Sequence, residues 1–155
     1  MIDPPELTSS PAQHLAVLHL LIPRADIRQV MGPGLQEVLA AIAAQGLRPA
    51  GPWLTHHLRF PPGHFDFEIG VPVPRPIAAA GRVAPGELPA TRVARTVLRG
   101  GYEGLGAAWQ ELDAWVRAQG HTPAEDLWEV YAKGPESGLD PSQWRTELYR
   151  PVRNG

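Results

Sequence analysis

Two stretches, LQEVLAAIAAQGLRPA at residues 35–50 and WQELDAWVRAQGHTPA at residues 109–124, align without a gap at an offset of 74. Gln36-Glu37 falls on Gln110-Glu111, Ala44-Gln45-Gly46 on Ala118-Gln119-Gly120, and Pro49-Ala50 on Pro123-Ala124. Downstream, FEIGVPV from Phe67 falls on TELYRPV from Thr146 at an offset of 79, so that Glu68 matches Glu147 and Pro72-Val73 matches Pro151-Val152. Two matches in the same order point to an internal duplication, the signature of a fold built from one unit used twice.

Each copy carries the same rhythm. Residues 14–22 form an apolar, strand-compatible run. Leu35, Val38, Leu39 and Ile42 recur at helical spacing over about 33–45, and Gly46 suits a helix C-terminus. Residues 53–60 and 64–73 read as strands; in the second, Phe65, Phe67, Ile69, Val71 and Val73 alternate with His64, Asp66, Glu68 and Gly70. The stretch RPIAAAGRVAPGELPA then bridges the copies. The order repeats with a strand over 91–99, a helix over 101–119 carrying Leu105, Ala108, Trp109, Leu112, Trp115 and Val116 on one stripe, and strands over 126–133 and 143–152. The expected fold is α+β: duplicated β-α-β-β units with pseudo-twofold symmetry, two helices packed on antiparallel sheet, and a ligand groove between the halves. Residues 1–13 read as a flexible N-terminal segment. Residues 14–155 read as a single domain of two repeats, about 14–76 and 88–153.

Composition narrows the function. The chain has 155 residues, 43% hydrophobic and 19% charged, with a net charge of −2. No basic excess is present to neutralise a phosphate backbone, so direct nucleic-acid binding is not expected. Cysteine is absent, which removes disulfides, thiolate zinc sites and cysteine nucleophiles. The start, MIDPPELTSSPAQ, has no basic region followed by an apolar core, and no apolar run approaches the roughly 20 residues a membrane span needs. A cytoplasmic protein without membrane contact is expected. His56, His57 and His64 lack further ligands at recognisable spacing, so no metal and no cofactor is expected. GPG at 32–34, GGYEGLG at 100–106 and APGELPA do not make a phosphate loop, since no Lys-Ser/Thr pair follows.

One residue resists a structural reading. In DLWEVYAKG, residues 126–134, Glu129 lies between Trp128 and Val130 in an apolar strand. Burying an unpaired carboxylate costs several kcal/mol or more, so such a group is paired, neutralised or used. Alternation puts Glu129 on one face with Leu127, Tyr131 and Lys133. The other face, with Trp128, Val130 and Ala132, is assigned to the helix side. A half-exposed Glu129 would pair with Lys133 or an arginine; a buried one would serve a ligand.

GELPATRVARTVLRGGYEGLGAAW, DLWEVY followed by KGP, and the terminal WRTELYRPV together resemble GyrI-like small-molecule-binding domains. These are the effector-binding domains of AraC-type and MerR-type multidrug regulators. The resemblance covers residues 14–153. It implies a groove for lipophilic, often cationic aromatic compounds, with Glu129 as the buried glutamate facing the cation. Tyr102 matches a tyrosine that lines the pocket near the start of the second helix. Trp144 matches an aromatic position before the R-x-E of the last strand, where the drug-binding regulators carry tyrosine. The chain resembles a stand-alone form, without the regulators' DNA-binding part. Some stand-alone GyrI-like proteins are described as hydrolases of cyclopropanoid cyanides. That alternative would make Glu129 a general base, with Tyr102 or Tyr131 donating a hydrogen bond to the developing charge. The family name comes from inhibition of DNA gyrase, and no residue here marks such a protein partner.

The remaining residues divide as follows. Tyr131 lines the groove, orients Glu129 through a hydrogen bond, or packs across strands. Trp109 and Trp115 read as core. Trp53 is a candidate ligand contact near the repeat position of Trp128, which puts Leu54 or Thr55 at the position of Glu129. The acid is therefore not duplicated, and binding should be oriented. Glu68 and Glu147 read as structural, paired with an arginine such as Arg145 or Arg92.

Overall fold

A computed structural model describes residues 2–154; Met1 and Gly155, the outer ends of the expected boundaries, lie outside the described residues. In chain order the elements are β1 (Glu6–Ser10), β2 (Gln13–Pro23), α1 (Ile27–Ala44), β3 (Leu54–Arg59), β4 (His64–Pro72), β5 (Val83–Leu88), β6 (Thr91–Arg99), α2 (Leu105–Ala118), β7 (His121–Pro123), β8 (Leu127–Lys133) and β9 (Arg145–Asn154). The chain divides into two compact α+β units. One comprises residues 11–90; the other comprises 1–10 with 91–155.

In the unit of residues 11–90, β2 pairs antiparallel with β4 on one side and β5 on the other, and β3 pairs with the far edge of β4. Alternation sends Ala16 and Leu18 of β2 and Phe67, Ile69 and Val71 of β4 to one face, where they bury against Val38 and Ile42 of α1. The approach is close. A Cβ on Gly34 would stand 2.5 Å from Ile69 Cδ1, so glycine lets α1 settle onto β4.

Two expectations are corrected in this unit. The helix begins at Ile27 rather than at Pro33, and Pro33 lies inside it. Ile27, Val30 and Met31 pack on the core, and that burial carries the helix through a residue that removes one backbone hydrogen bond. The stretch between the copies, expected to be only a bridge, holds β5. Its Pro85 lies opposite Ala16, on a strand that completes β2 from outside, where a missing ladder donor is tolerated. Gly86 is required there, because a Cβ would meet Val17 Cγ1 at 2.7 Å.

In the unit of residues 1–10 and 91–155, β6 pairs with β1 and β9, and β9 pairs with β8 and the short β7. Ala94, Leu98 and Leu148 bury against Ala108, Leu112 and Val116 of α2. Within the N-terminal segment, Glu6–Ser10 form β1. The segment is further tied where Arg99 Nε donates to the Asp3 carboxylate at 2.6 Å and Thr96 Oγ1 donates to the Asp3 carbonyl at 2.6 Å. ELTSS reads as coil because it is short and polar, but an edge strand tolerates that composition.

The ladders fix how the repeats correspond. Thr55 lies opposite Ile69 and His57 opposite Phe67, while Glu129 lies opposite Leu148. With β4 and β9 related by an offset of 79, Thr55 takes the place of Glu129, and Leu54 rather than Trp53 takes the place of Trp128. The offset of 74 therefore persists through β3 and β8. The five extra residues of the second copy fall in the connection 134–144, which ends in Trp144.

Candidate functional site

The candidate residues centre on Glu129 of β8, which is bonded to Trp109 of α2. Glu129 lies opposite Leu148, a member of the core under α2, and so points toward the helix. This reverses the face expected from the sequence. Trp128 lies on the other face and stacks on Tyr149, with centroids 5.6 Å apart at 16°. Alternation separates two faces without saying which one meets the helix, and here the larger hydrophobe is on the face away from it.

Glu129 is 8% exposed. Both of its carboxylate oxygens are held by neutral donors. Trp109 Nε1, from α2, donates to Oε2 at 2.6 Å, and the Tyr131 hydroxyl donates to Oε1 at 2.7 Å. Among the described residues no lysine, arginine or histidine pairs with Glu129, so the ion pair with Lys133 is not formed. Burial pushes the Glu129 carboxyl above its ordinary range, and the bonds from Trp109 and Tyr131 offset only part of that rise. The result is a buried acid with hydrogen-bond partners and no counter-charge among the described residues.

Aromatic rings continue outward from it. Tyr102 opens the single turn that precedes α2. Its ring meets the Tyr131 ring edge-on at 5.7 Å and the Trp144 ring at 5.0 Å and 40°. Trp144 is anchored at the end of the 134–144 connection: the Gly100 amide donates to its carbonyl at 3.0 Å, and its indole donates to the Leu139 carbonyl at 3.1 Å. Glu129, Tyr131, Tyr102 and Trp144 thus form one contiguous array. Trp53 belongs to the other unit, where it packs against that unit's core.

Trp109 packs in the core, as its place on the helix stripe implies, but its indole also reaches the acid. A signal for this lies in the repeat. Trp109 replaces Leu35 at the offset of 74, just as Glu129 replaces Thr55, so a donor appears in the one copy that carries the acid. The other glutamates are structural in their contacts. Glu147 accepts from the Tyr149 hydroxyl at 2.7 Å and lies 3.4 Å from Arg95 Nη2, and Glu68 lies 3.7 Å from His56 Nδ1. The arginine that meets Glu147 is therefore Arg95, not the expected Arg145 or Arg92; Arg95 sits on its strand face in the adjoining β6.

Among the described residues no group of three histidines, cysteines or carboxylates is placed to hold a metal ion, and no helix is long and apolar enough to cross a membrane.

Residues 4–153 match the family described as GyrI-like small molecule binding domain. The chain belongs to that family. The GyrI-like chain is similar in fold to the crystal structure of the EcmrR C-terminal domain, with 22% identity, 98% of each chain covered and a TM-score of 0.86. It is likewise similar to EcmrR in a cryo-EM complex with DNA, at 22% identity and a TM-score of 0.85. That match covers 98% of this chain and 58% of the length of the EcmrR chain. It also resembles SAV2435 bound to tetraphenylphosphonium, at 13% identity and a TM-score of 0.64, covering 97% of this chain and 94% of that one. No curated protein matches the sequence.

Proposed function

We propose that this GyrI-like domain binds lipophilic, often aromatic cations, with Glu129 as counter-ion, and so takes part in sensing or sequestering xenobiotics. The observation that carries the reading is a buried carboxylate with two neutral donors, no basic partner among the described residues and a run of aromatic rings beside it. A delocalised cation would supply the missing charge, and the faces of Tyr102, Tyr131 and Trp144 would add cation–π attraction of about 0.5–2 kcal/mol each. SAV2435, a fold relative, is described as bound to such a cation, which makes tetraphenylphosphonium a suitable probe. The experiment is a calorimetric titration with tetraphenylphosphonium alongside a neutral analogue of similar shape. Preference for the cation is expected; equal affinity for both would reject the counter-ion role.

Tyr131 gives a second test. Tyr131→Phe removes one of the two donors that favour ionised Glu129, so its carboxyl should shift further upward. Cation affinity depends on the ionised form, and the pH at which affinity is half lost on acidification should rise in the variant. An unchanged midpoint would show that the Tyr131 hydroxyl does not tune the acid.

The raised acid also supports a second reading, hydrolysis of cyclopropanoid cyanide-type electrophiles. A carboxylate with elevated pKa is a better base; the Tyr131 phenol is bonded to it, and the Tyr102 ring packs against that of Tyr131. Incubation with such an electrophile, followed by mass spectrometry, separates the readings: a product heavier by one water favours hydrolysis, and recovery of intact compound favours binding. If turnover occurs, Tyr102→Phe should reduce it more than it reduces affinity. Equal losses would remove Tyr102 as a hydrogen-bond donor in the reaction.

A further inference from the structure

On the unit of residues 11–90, the sheet face opposite α1 holds a second arrangement. Asp66 of β4 alternates with the core residues Phe65 and Phe67 and is only 3% exposed. Both of its oxygens are occupied. His19 Nε2 lies 2.5 Å from Oδ1, and Arg59 Nε donates to Oδ2 at 3.0 Å. Those bonds, His19 first, hold the Asp66 carboxyl below its ordinary range. The Arg59 side chain is otherwise 74% exposed, and its two terminal nitrogens make no hydrogen bond among the described residues.

Beside that guanidinium lies a depression of about 390 Å³ lined by Leu21, Arg59, Phe60, Pro61 and Asp66. Its size falls at the lower end of the roughly 300–1,000 Å³ typical of small-molecule sites. Leu21 is 60% and Phe60 43% exposed. Among the described residues, Leu139 is the only other large hydrophobe so exposed, so the apolar exposure is concentrated at this arginine. Scattered single apolar residues on a surface carry no meaning, whereas clustering around a fixed polar group does.

We propose that this depression is a binding site for small amphiphilic monocarboxylates. Arg59 would take the carboxylate through its terminal nitrogens, and Leu21, Phe60 and Pro61 would cover the hydrocarbon. The choice of an anion follows from the hydrogen-bond inventory. Asp66 has no oxygen left unoccupied for a cation, while Arg59 has donors without acceptors. The Nε bond to Asp66 also fixes the plane of the guanidinium, so less side-chain entropy is lost on pairing than for an untethered arginine. This site is independent of Glu129 and prefers the opposite charge.

The test is a calorimetric titration with sodium decanoate, with decanol as the neutral control, on wild type, Arg59→Gln, Phe60→Ala and Glu129→Gln. Decanoate is expected to bind more tightly than decanol, to lose at least tenfold in affinity in Arg59→Gln, to weaken in Phe60→Ala, and to be unaffected by Glu129→Gln. Circular dichroism checks that Arg59→Gln is folded. If it is not, Phe60→Ala decides, since that ring makes no contact with the Asp66 carboxylate bonds. Absence of decanoate binding, equal affinity for decanol, or full affinity in both depression variants would overturn the proposal. Loss confined to Glu129→Gln would move decanoate to the other site and overturn it equally.

Discussion

Glu129→Gln is expected to weaken tetraphenylphosphonium binding at least tenfold, about 1.4 kcal/mol, while making the ligand-free protein more heat-stable at neutral pH. Both halves follow from one cause. Two unit charges 4 Å apart attract by about 4 kcal/mol at an effective dielectric constant near 20, so tenfold is a modest share of what removing the charge could cost. The amide is close to isosteric. Its oxygen can accept from the Trp109 indole and its nitrogen can donate to the Tyr131 oxygen, so the local hydrogen bonds survive. The stability gain comes from linkage. Burial raises the folded-state carboxyl above its ordinary range, so the native state holds its proton more firmly than the unfolded chain does. The stability this confers is present below the unfolded value and is lost as pH rises through the folded one. Above the unfolded value, holding this acid in a buried site is a burden on the ligand-free fold, and the amide removes it. Melting curves with and without the cation would show the trade. A variant that binds as tightly as wild type would sink the counter-ion role, and a variant with a lower melting temperature at neutral pH would show that the acid is stabilising in place.

The two repeats were legible because each writes the same apolar spacing twice, and a duplicated pattern is hard to produce by chance. Strand β6 and the C-terminal ends of both helices follow directly from alternation and from Gly46 and Gly120, which adopt positive φ of 73° and 83°. The edge strands were not legible. β1 is too short and polar, and β5 is interrupted by Pro85 and Gly86. In both, the information lies in the partner strand rather than in the segment. Around the site, Glu129 was conspicuous because a carboxylate in an apolar strand violates the local pattern. Its orientation was not conspicuous, because period-two alternation is symmetric between faces. The role of Trp109 was hidden for a related reason. An indole on a helix stripe counts as apolar in any periodicity, and its one N–H becomes meaningful only when the acid is seen opposite it.

Acidification from pH 6.5 to about 4 is expected to remove roughly 3 kcal/mol of stability through His57 alone, since each tenfold change in proton affinity is worth about 1.36 kcal/mol. His57 takes the position in its own repeat that Tyr131 takes in the other, but it packs among three phenylalanine rings, one of which carries the Arg24 guanidinium over its face. It stacks on Phe67 at 5.2 Å and Phe60 at 5.7 Å, and meets Phe65 edge-on at 5.6 Å. Its Nδ1 is buried and makes no hydrogen bond among the described residues. Burial, with smaller contributions from His56 and Arg24, lowers the folded-state pKa from 6.5 to about 4. The unfolded chain therefore binds a proton that the native state refuses. Stability from this group is fully present above about pH 6.5 and falls as pH drops toward 4, the opposite slope to that of Glu129. Urea unfolding of wild type and His57→Leu at pH 7.5 and pH 4.5 isolates it, because every other titrating group is common to both proteins. The gap between the two pH values should shrink in His57→Leu. Because an apolar side chain in that slot leaves no buried nitrogen without a partner, the variant should also lose little at pH 7.5. An equal gap in both proteins would mean that His57 is protonated inside the fold, and the aromatic box would then be a cation-binding cage rather than a dry one.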